Sequence, residues 1–199
     1  MDIFISTFLK IFFLMTPFFV LTMFLTMTKD ATIAQRKALA IKVTISVTIV
    51  SFILLFFGKH IFSIFGITVD AFRIGAGALL FLTAIDLVRG KEHESNVDDK
   101  DISQLAVVPL SMPMIIGPGT TGILVVMGAT FTDSSSFIIG TMALMSAVLV
   151  IGLMLYTASF IEKIIGNEAL IVVSKITGLI LAALSAQIVF TGIKNFLAL

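Results

Sequence analysis

The sequence predicts an all-α polytopic membrane protein with six transmembrane helices, built as two inverted three-helix repeats. Three observations lead to this fold class. Of the 199 residues, 58% are hydrophobic and only 13% are charged, and the mean hydropathy is +1.16. The apolar residues form six runs that charged clusters separate. The two halves of the chain also place prolines and glycines at matching positions.

The composition excludes several classes of protein. Soluble domains are usually about a quarter charged, so this chain has too few polar side chains to cover a water-soluble globule. A lipid bilayer is therefore the expected surrounding. The formal net charge of +1 argues against a nucleic-acid partner, which requires a basic face. There is no cysteine, and His60 and His93 lie near charged turns, so we expect no metal site and no cofactor.

Each crossing needs about 20 mostly apolar residues. Cutting the chain at its charged clusters predicts spans at residues 3–27, 41–57, 72–88, 105–130, 137–161 and 169–193. The first run is too long for the apolar region of a signal peptide and is interpreted as a true span. The two repeats are then residues 1–88 and 105–199, and a polar linker at residues 89–104 joins them.

The distribution of basic residues predicts the orientation. Most of them follow spans one, three and five: Lys29, Arg36, Lys37, Lys42, Arg89, Lys91, Lys100, Lys163 and Lys175. The opposite side holds only Lys59, Arg73 and Lys194. Because loops rich in Lys and Arg stay inside, we expect a cytoplasmic linker and both termini outside the cytoplasmic membrane.

The repeat is visible as three residue pairs at nearly constant offsets of 100–102 residues: Pro17 and Pro118, Gly66 and Gly166, and Arg73 and Lys175. Three spans per copy is an odd number, so the second copy must be inverted in the membrane. Inverted repeats are typical of secondary transporters, which bind their solute near the midplane between the two copies.

Span four contains most of the residues that disrupt helices: Pro109, Pro113, Gly117, Pro118, Gly119 and Gly122. Proline removes a backbone donor and glycine weakens a helix, so Gly117-Pro118-Gly119 is predicted to be unwound. A new helix should start near Thr120 and Thr121. Its amides and positive dipole end would favour a carboxylate, and the two hydroxyls could cap the helix or bind substrate.

The equivalent position in span one is Thr16-Pro17, and no glycine follows it. The sequence is therefore compatible with either a kink or a full break of the helix at this position. Lipid cannot satisfy freed backbone groups, so a break must face protein or water. The alternative is that these prolines only bend helices for packing.

Three other polar residues lie within or near the spans. We expect Lys10 to extend toward the nearer interface and Asp86 to form an ion pair with Arg89. Gln187 could either bond across helices or reach a cavity. Small residues on spans three and six should let these helices approach closely and hold the broken ones: Gly75, Ala76, Gly77, Ala78, Gly178, Ala182 and Ala183.

Three stretches carry a family resemblance: VVPLSMPMIIGPGTT at 107–121, FRIGAGALLFLTAID at 72–86 and KITGLILAALSAQIVFTGI at 175–193. They resemble the MarC family of integral membrane proteins, which includes the SnatA small neutral amino acid transporters. The resemblance implies six spans, an inverted repeat, and transport of glycine, alanine or similar amino acids, coupled in some members to protons. It also implies that discontinuous helices one and four hold the substrate.

The first-half family motif is typically Asp-Pro-x-Gly-Asn, and here it reads Thr16-Pro17-Phe18-Phe19-Val20. Only the proline is kept, so we expect a lopsided cavity to which span four gives most polar contacts. The expected function is secondary transport of a small neutral solute. A channel and a non-transporting assembly or stress protein are the alternatives. An intramembrane enzyme is not expected, because the spans hold no His, no Cys and no carboxylate pair.

Overall fold

The computed structural model describes residues 2–90, 107–130 and 133–197. Throughout these ranges the regular structure is helical. In chain order the elements are α1 (Asp2–Leu14), α2 (Pro17–Met27), α3 (Ile33–Phe65), α4 (Val69–Arg89), a π-helix (Val107–Ile115), α5 (Pro118–Thr130), α6 (Ser134–Tyr156), α7 (Ala158–Ile165) and α8 (Asn167–Phe196). Most of the predicted linker, including His93, lies outside the described residues.

Five segments are long and apolar enough to cross a membrane: Ile3–Met27, Ile33–Phe57, Val69–Arg89, Ser134–Tyr156 and Glu168–Phe196. The prediction of an all-α polytopic membrane protein is therefore confirmed. The region predicted as span four differs, because it contains the nine-residue π-helix followed by the short apolar helix Gly119–Thr130.

The outer surface of the bundle is apolar, as contact with lipid requires. On α3 one exposed stripe recurs at every fourth residue, which is one face of a helix: Ile41, Ile45, Ile49, Ile53 and Phe57. Similar exposed side chains lie on α6 and α8, including Leu153 and Leu179. In water such a surface would be an aggregation site, whereas hydrocarbon chains cover it without cost.

Two predicted spans differ from the helices that form. Span two was cut at its charged ends, but α3 starts at Ile33, because Thr32 and Gln35 form a reciprocal capping box. Span five is divided at Thr157, whose hydroxyl donates to the Leu153 carbonyl at 2.7 Å. Charges near an interface therefore did not mark the helix ends.

Asp133 begins α6 by accepting a hydrogen bond from the Ser136 backbone amide at 2.8 Å. Hydrogen bonds from the Ser136 amide and hydroxyl favour the charged carboxylate and lower the pKa of Asp133. Negative charge is also favourable at a helix N-terminus.

Arg36 connects the turn after α2 to α7. Its guanidinium donates to the Thr28 carbonyl and to the Ser159 hydroxyl, each at 3.0 Å, and lies 3.7 Å from Glu162. The ends of predicted spans one and five are thus on the same side of the bundle, as the orientation prediction requires.

Helices α4 and α8 form the most extensive helix pair among the described elements. The Ser185 hydroxyl donates to the Gly77 carbonyl at 2.8 Å, and a Cβ on Gly77 would lie 2.6 Å from Val189. This contact agrees with the prediction that small residues on spans three and six let these helices pack closely. This pair packs against α5 and α2, while the main buried core joins α1, α2, α3, α5 and α6.

Candidate functional site

The first helix break separates α1 from α2. Helix α1 ends at Leu14, and Thr16 adopts φ 48° and ψ 53°, the one non-glycine residue with positive φ among those described. Pro17 is the first residue of α2, and the Val20 amide donates to the Thr16 carbonyl at 3.0 Å. Of the two alternatives left open for span one, the structure has the full break. A left-handed threonine is strained, and such strain clusters at functional sites.

The second break separates the π-helix from α5. The Ile116 amide donates to the Ser111 carbonyl, five residues earlier, at 2.9 Å. Gly117 is not part of a helix. Helix α5 begins at Pro118, and its ladder starts with the Thr121 amide on the Gly117 carbonyl at 2.9 Å. The break therefore lies at 116–117, before the predicted 117–119, because proline is favoured at the first position of a helix.

Thr120 joins the two breaks. Its side chain is buried, and its hydroxyl lies 3.0 Å from the Leu14 carbonyl and 3.1 Å from the Ile115 carbonyl. These carbonyls end α1 and the π-helix, where the helical ladder offers no partner. Of the two roles that the sequence suggested for this hydroxyl, capping is the one that the contacts support.

We predict that Thr120→Val destabilises the protein by about 1–3 kcal/mol, because valine keeps the shape and removes the single hydroxyl proton that the two buried carbonyls share. The melting temperature in detergent should fall by roughly 2–4 °C per kcal/mol. Thr121→Val is the matched control, since its hydroxyl has no partner among the described residues. Equal melting temperatures for the two variants would show that the link does not stabilise the breaks.

Two cavities meet at the breaks. The Lys10 cavity has a volume of about 370 Å³, and its polar lining is Thr7, Lys10, Arg73, Gln187 and Thr191. The Asp86 cavity has a volume of about 270 Å³, and its polar lining is Thr16, Thr83, Asp86 and Thr120. Arg73 lies near the start of α4 and Asp86 near its end, so the two cavities lie toward opposite ends of this helix.

A thin apolar partition separates the cavities. Leu14 and Gly119 line both of them, and Leu80 lines the Asp86 cavity. Leu14 and Leu80 are 4% and 2% exposed, and a Cβ on Gly119 would collide with the Leu80 side chain. We call these three residues the partition. It stands between the two cavities.

The cavity lining answers three expectations about polar residues. Gln187 reaches a cavity, and Lys10 lines the same one. The expected ion pair between Asp86 and Arg89 is wrong for the described structure. The ion pair that the described structure does form on α4 joins Arg73 to Asp70, at 2.7 Å.

Span four does not supply most of the polar side chains that face the cavities. The polar side chains of both cavities come chiefly from α1, α4 and α8. Helix α5 adds only Thr120, whose hydroxyl is already engaged with carbonyls. Glycine and proline set the path of the broken helix, and neighbouring helices provide the side chains that face the cavities.

The predicted site residues fall into three groups. Thr16, Gly117, Gly119 and Thr120 line the Asp86 cavity, and Gly119 lines both cavities. Pro17 and Pro118 start the second half of each broken helix. Thr121 lines neither of these cavities and belongs to the first turn of α5.

Sequence reasoning missed Thr7, Arg73, Thr83 and Thr191 as cavity residues. A usable signal was present, because polar residues pair at helical spacing on otherwise apolar helices. Thr7 precedes Lys10 by three residues, Thr83 precedes Asp86 by three, and Gln187 precedes Thr191 by four. Residues three or four apart lie on one face of a helix, so each pair marks a polar face.

A bundle of apolar helices, two of them broken where cavities meet, defines a polytopic integral membrane protein. A sequence profile of the MarC family integral membrane proteins matches residues 1–197. The chain belongs to this family.

Individual relatives are similar over most of their length. The UPF0056 membrane protein MJ0972 of Methanocaldococcus jannaschii is 32% identical over 202 residues, covering 97% of this chain and 87% of the relative. The corresponding protein BU267 of Buchnera aphidicola is 29% identical, covering 97% and 93%. PYRAB13050 of Pyrococcus abyssi is 34% identical over 162 residues, covering 78% and 75%. No solved structure matches the chain.

Proposed function

We propose that this protein is a secondary transporter of a small neutral solute, an amino acid such as glycine or alanine, across the cytoplasmic membrane. The observation that carries the proposal is the pair of cavities on either side of the partition formed by Leu14, Leu80 and Gly119. A carrier must expose its site to one side at a time, and a path closed at the junction of two broken helices suits that requirement.

The two breaks support an inverted six-span repeat. Thr16 and Gly117 precede the new helices, Pro17 and Pro118 start them, and each carbonyl at the break accepts the first ladder bond. The packing is reciprocal at the level of whole spans, because span one packs on span five and span four packs on span two. The contacts lie chiefly on α1 in the first half and on α5 in the second. The two halves would then rock against each other about the breaks.

The cavity sizes support a small solute. Pockets for drug-sized ligands occupy about 300–1,000 Å³. The cavities of about 370 and 270 Å³ lie at or below the lower end of that range. Their polar side chains are few and most of the lining is apolar, so a small number of polar groups would fix the orientation of a compact solute.

The orientation proposal places both termini outside and the Arg36–Glu162 contact in the cytoplasm, following the excess of Lys and Arg there. The Asp86 cavity would then be the cytoplasmic one, and the Lys10 cavity would face outward. Labelling of single cysteines introduced at exposed end residues, with a membrane-impermeant reagent, tests this arrangement in a chain that has no native cysteine.

Transport is tested in proteoliposomes with labelled glycine and alanine, with and without a proton gradient. We expect saturable uptake above empty liposomes, together with counterflow from vesicles preloaded with the unlabelled amino acid. Counterflow requires a carrier that reorients with solute, so linear flux without counterflow would identify a channel instead. Absence of flux for a broad amino-acid panel would overturn the proposal and favour a non-transporting role.

A further inference from the structure

Asp86 occupies an unusual position for a carboxylate in a membrane helix. It is half-buried on α4, and it lines both the Asp86 cavity and an adjoining cavity of about 230 Å³. The described residues that line the Lys10 cavity and these two cavities include no other carboxylate. Ionisable groups inside membranes are costly and commonly serve function.

The cations near Asp86 are Arg89 and Lys175, which line the adjoining cavity. Neither forms an ion pair with Asp86 in the described structure, whose ion pairs involve Arg36 and Arg73. Lys175 instead lies against Gly90, where a Cβ would be 3.9 Å from its Nζ. Gly90 caps the C-terminus of α4, and the negative end of a helix dipole attracts a cation.

Thr16 provides a second, independent observation in the same cavity. It is 3% exposed, and its hydroxyl has no hydrogen-bond partner among the described residues. Buried hydroxyls are normally bonded, so a ligand that pairs with this one would gain free energy. The other threonines of the cavity are engaged, because Thr83 donates to Leu79 and Thr120 donates at the breaks.

We propose that the Asp86 cavity binds the ammonium group of the transported solute, with Asp86 as the charged acceptor and Thr16 as a second acceptor. An ammonium group has three donors and no acceptor, so a carboxylate and a free hydroxyl oxygen match it. This inference rests on the proposed transport function and restricts the solute to primary amines. The Lys10 cavity, on the other side of the partition, holds the basic residues Lys10 and Arg73.

The test is ligand-induced thermal stabilisation of the purified full-length protein in detergent. The probes are glycine, alanine, their deaminated analogues acetate and propionate, and methylamine. Wild type should be stabilised by both amino acids and by methylamine at higher concentration, and not by acetate or propionate. This pattern would place recognition on the amine, whereas equal responses to glycine and acetate would overturn the inference.

Substitutions test whether Asp86 is the residue that binds the ammonium group. Removing one member of a desolvated charge pair weakens binding steeply, so Asp86→Asn should raise the Kd for glycine at least about 30-fold. Asp86→Glu should retain part of the affinity. Thr16→Val, which removes one hydrogen bond, should raise the Kd about 10-fold. Glu168→Gln is the matched control, because Glu168 is exposed on α8 and lines none of these cavities.

The outcomes separate this inference from the transport proposal. Glycine transport by wild type, together with a Kd within threefold of wild type for Asp86→Asn, would overturn the ammonium site and leave transport standing. Loss of proton or sodium coupling with an unchanged Kd would show that Asp86 holds a coupling ion instead, and would also overturn it. If Asp86→Asn is not monodisperse, the thermal stabilisation of Asp86→Glu and Thr16→Val by glycine is compared with that by acetate. A preference for glycine as large as that of wild type in both variants would overturn the ammonium site. Wild type that binds methylamine but transports no amino acid would overturn the transport proposal alone.

Discussion

Gly128→Ala is expected to destabilise this protein strongly, because the added methyl meets the backbone of another helix. A Cβ on Gly128 would collide with the Leu55 carbonyl oxygen and lie 2.9 Å from its carbonyl carbon. Leu55 is fully buried on α3, so its backbone can move only if α3 and α5 separate. Overpacking costs about 1–3 kcal/mol, and contact with backbone belongs at the upper end. The melting temperature in detergent should fall by roughly 6–12 °C.

Gly75→Ala is the control for helix propensity and added volume. Gly75 is exposed on α4, and a Cβ there meets nothing within 4 Å. Alanine is the better helix former, so this variant should be unchanged or slightly more stable. The measurement is the fraction of monodisperse protein that remains after heating. If both variants melt together, α3 and α5 do not make the close contact described.

Gly119→Leu is expected to abolish most transport while the protein remains folded. The new side chain would enter the partition, collide with Leu80 and occupy space in both cavities. Because cavity volume lies on both sides, the bundle can accept the side chain, whereas the path cannot. An obstruction of about 1–3 kcal/mol reduces uptake by roughly 5–150-fold.

Uptake of labelled glycine into proteoliposomes measures this effect, with Gly75→Leu as the control for a leucine added at an exposed α4 position. Adding Leu80→Ala to Gly119→Leu should restore part of the flux, because it removes the side chain that the leucine meets. Unchanged uptake by Gly119→Leu, at equal reconstituted protein, would remove the partition from the solute path.

The sequence was informative where one residue type dictates the backbone. Proline cannot continue a ladder, so Pro17 and Pro118 marked both broken helices, and the apolar runs marked the membrane segments. The left-handed Thr16 could not be predicted, because a non-glycine residue takes positive φ only where tertiary contacts impose it. Helix α5 starts at Pro118, two residues before the predicted start near Thr120, and the cause is local, since proline starts a helix as readily as it ends one.

The cavities depended on information that one helix does not contain. Asp86 and Arg89 are three residues apart, and that spacing alone favours an ion pair. The choice between a pair and a cavity depends on what α2 and α8 leave empty beside α4, which follows from packing. Polar pairs such as Gln187 and Thr191 would have indicated which helix faces line a cavity. They would not have indicated which helices contribute to the same cavity.

The length of α3 has a mechanical consequence. Its 33 residues extend roughly 50 Å, whereas the hydrocarbon layer is about 30 Å thick. Because Arg36 and Lys37 lie close to the start of α3, its charged start extends beyond that layer, and the remaining apolar part can lean within the range that membrane helices adopt. A thicker membrane would draw α3 upright, and the contact of Leu55 with Gly128 would pull α5 with it. The thickness of the surrounding lipid thus acts directly on the helix that begins at the second break.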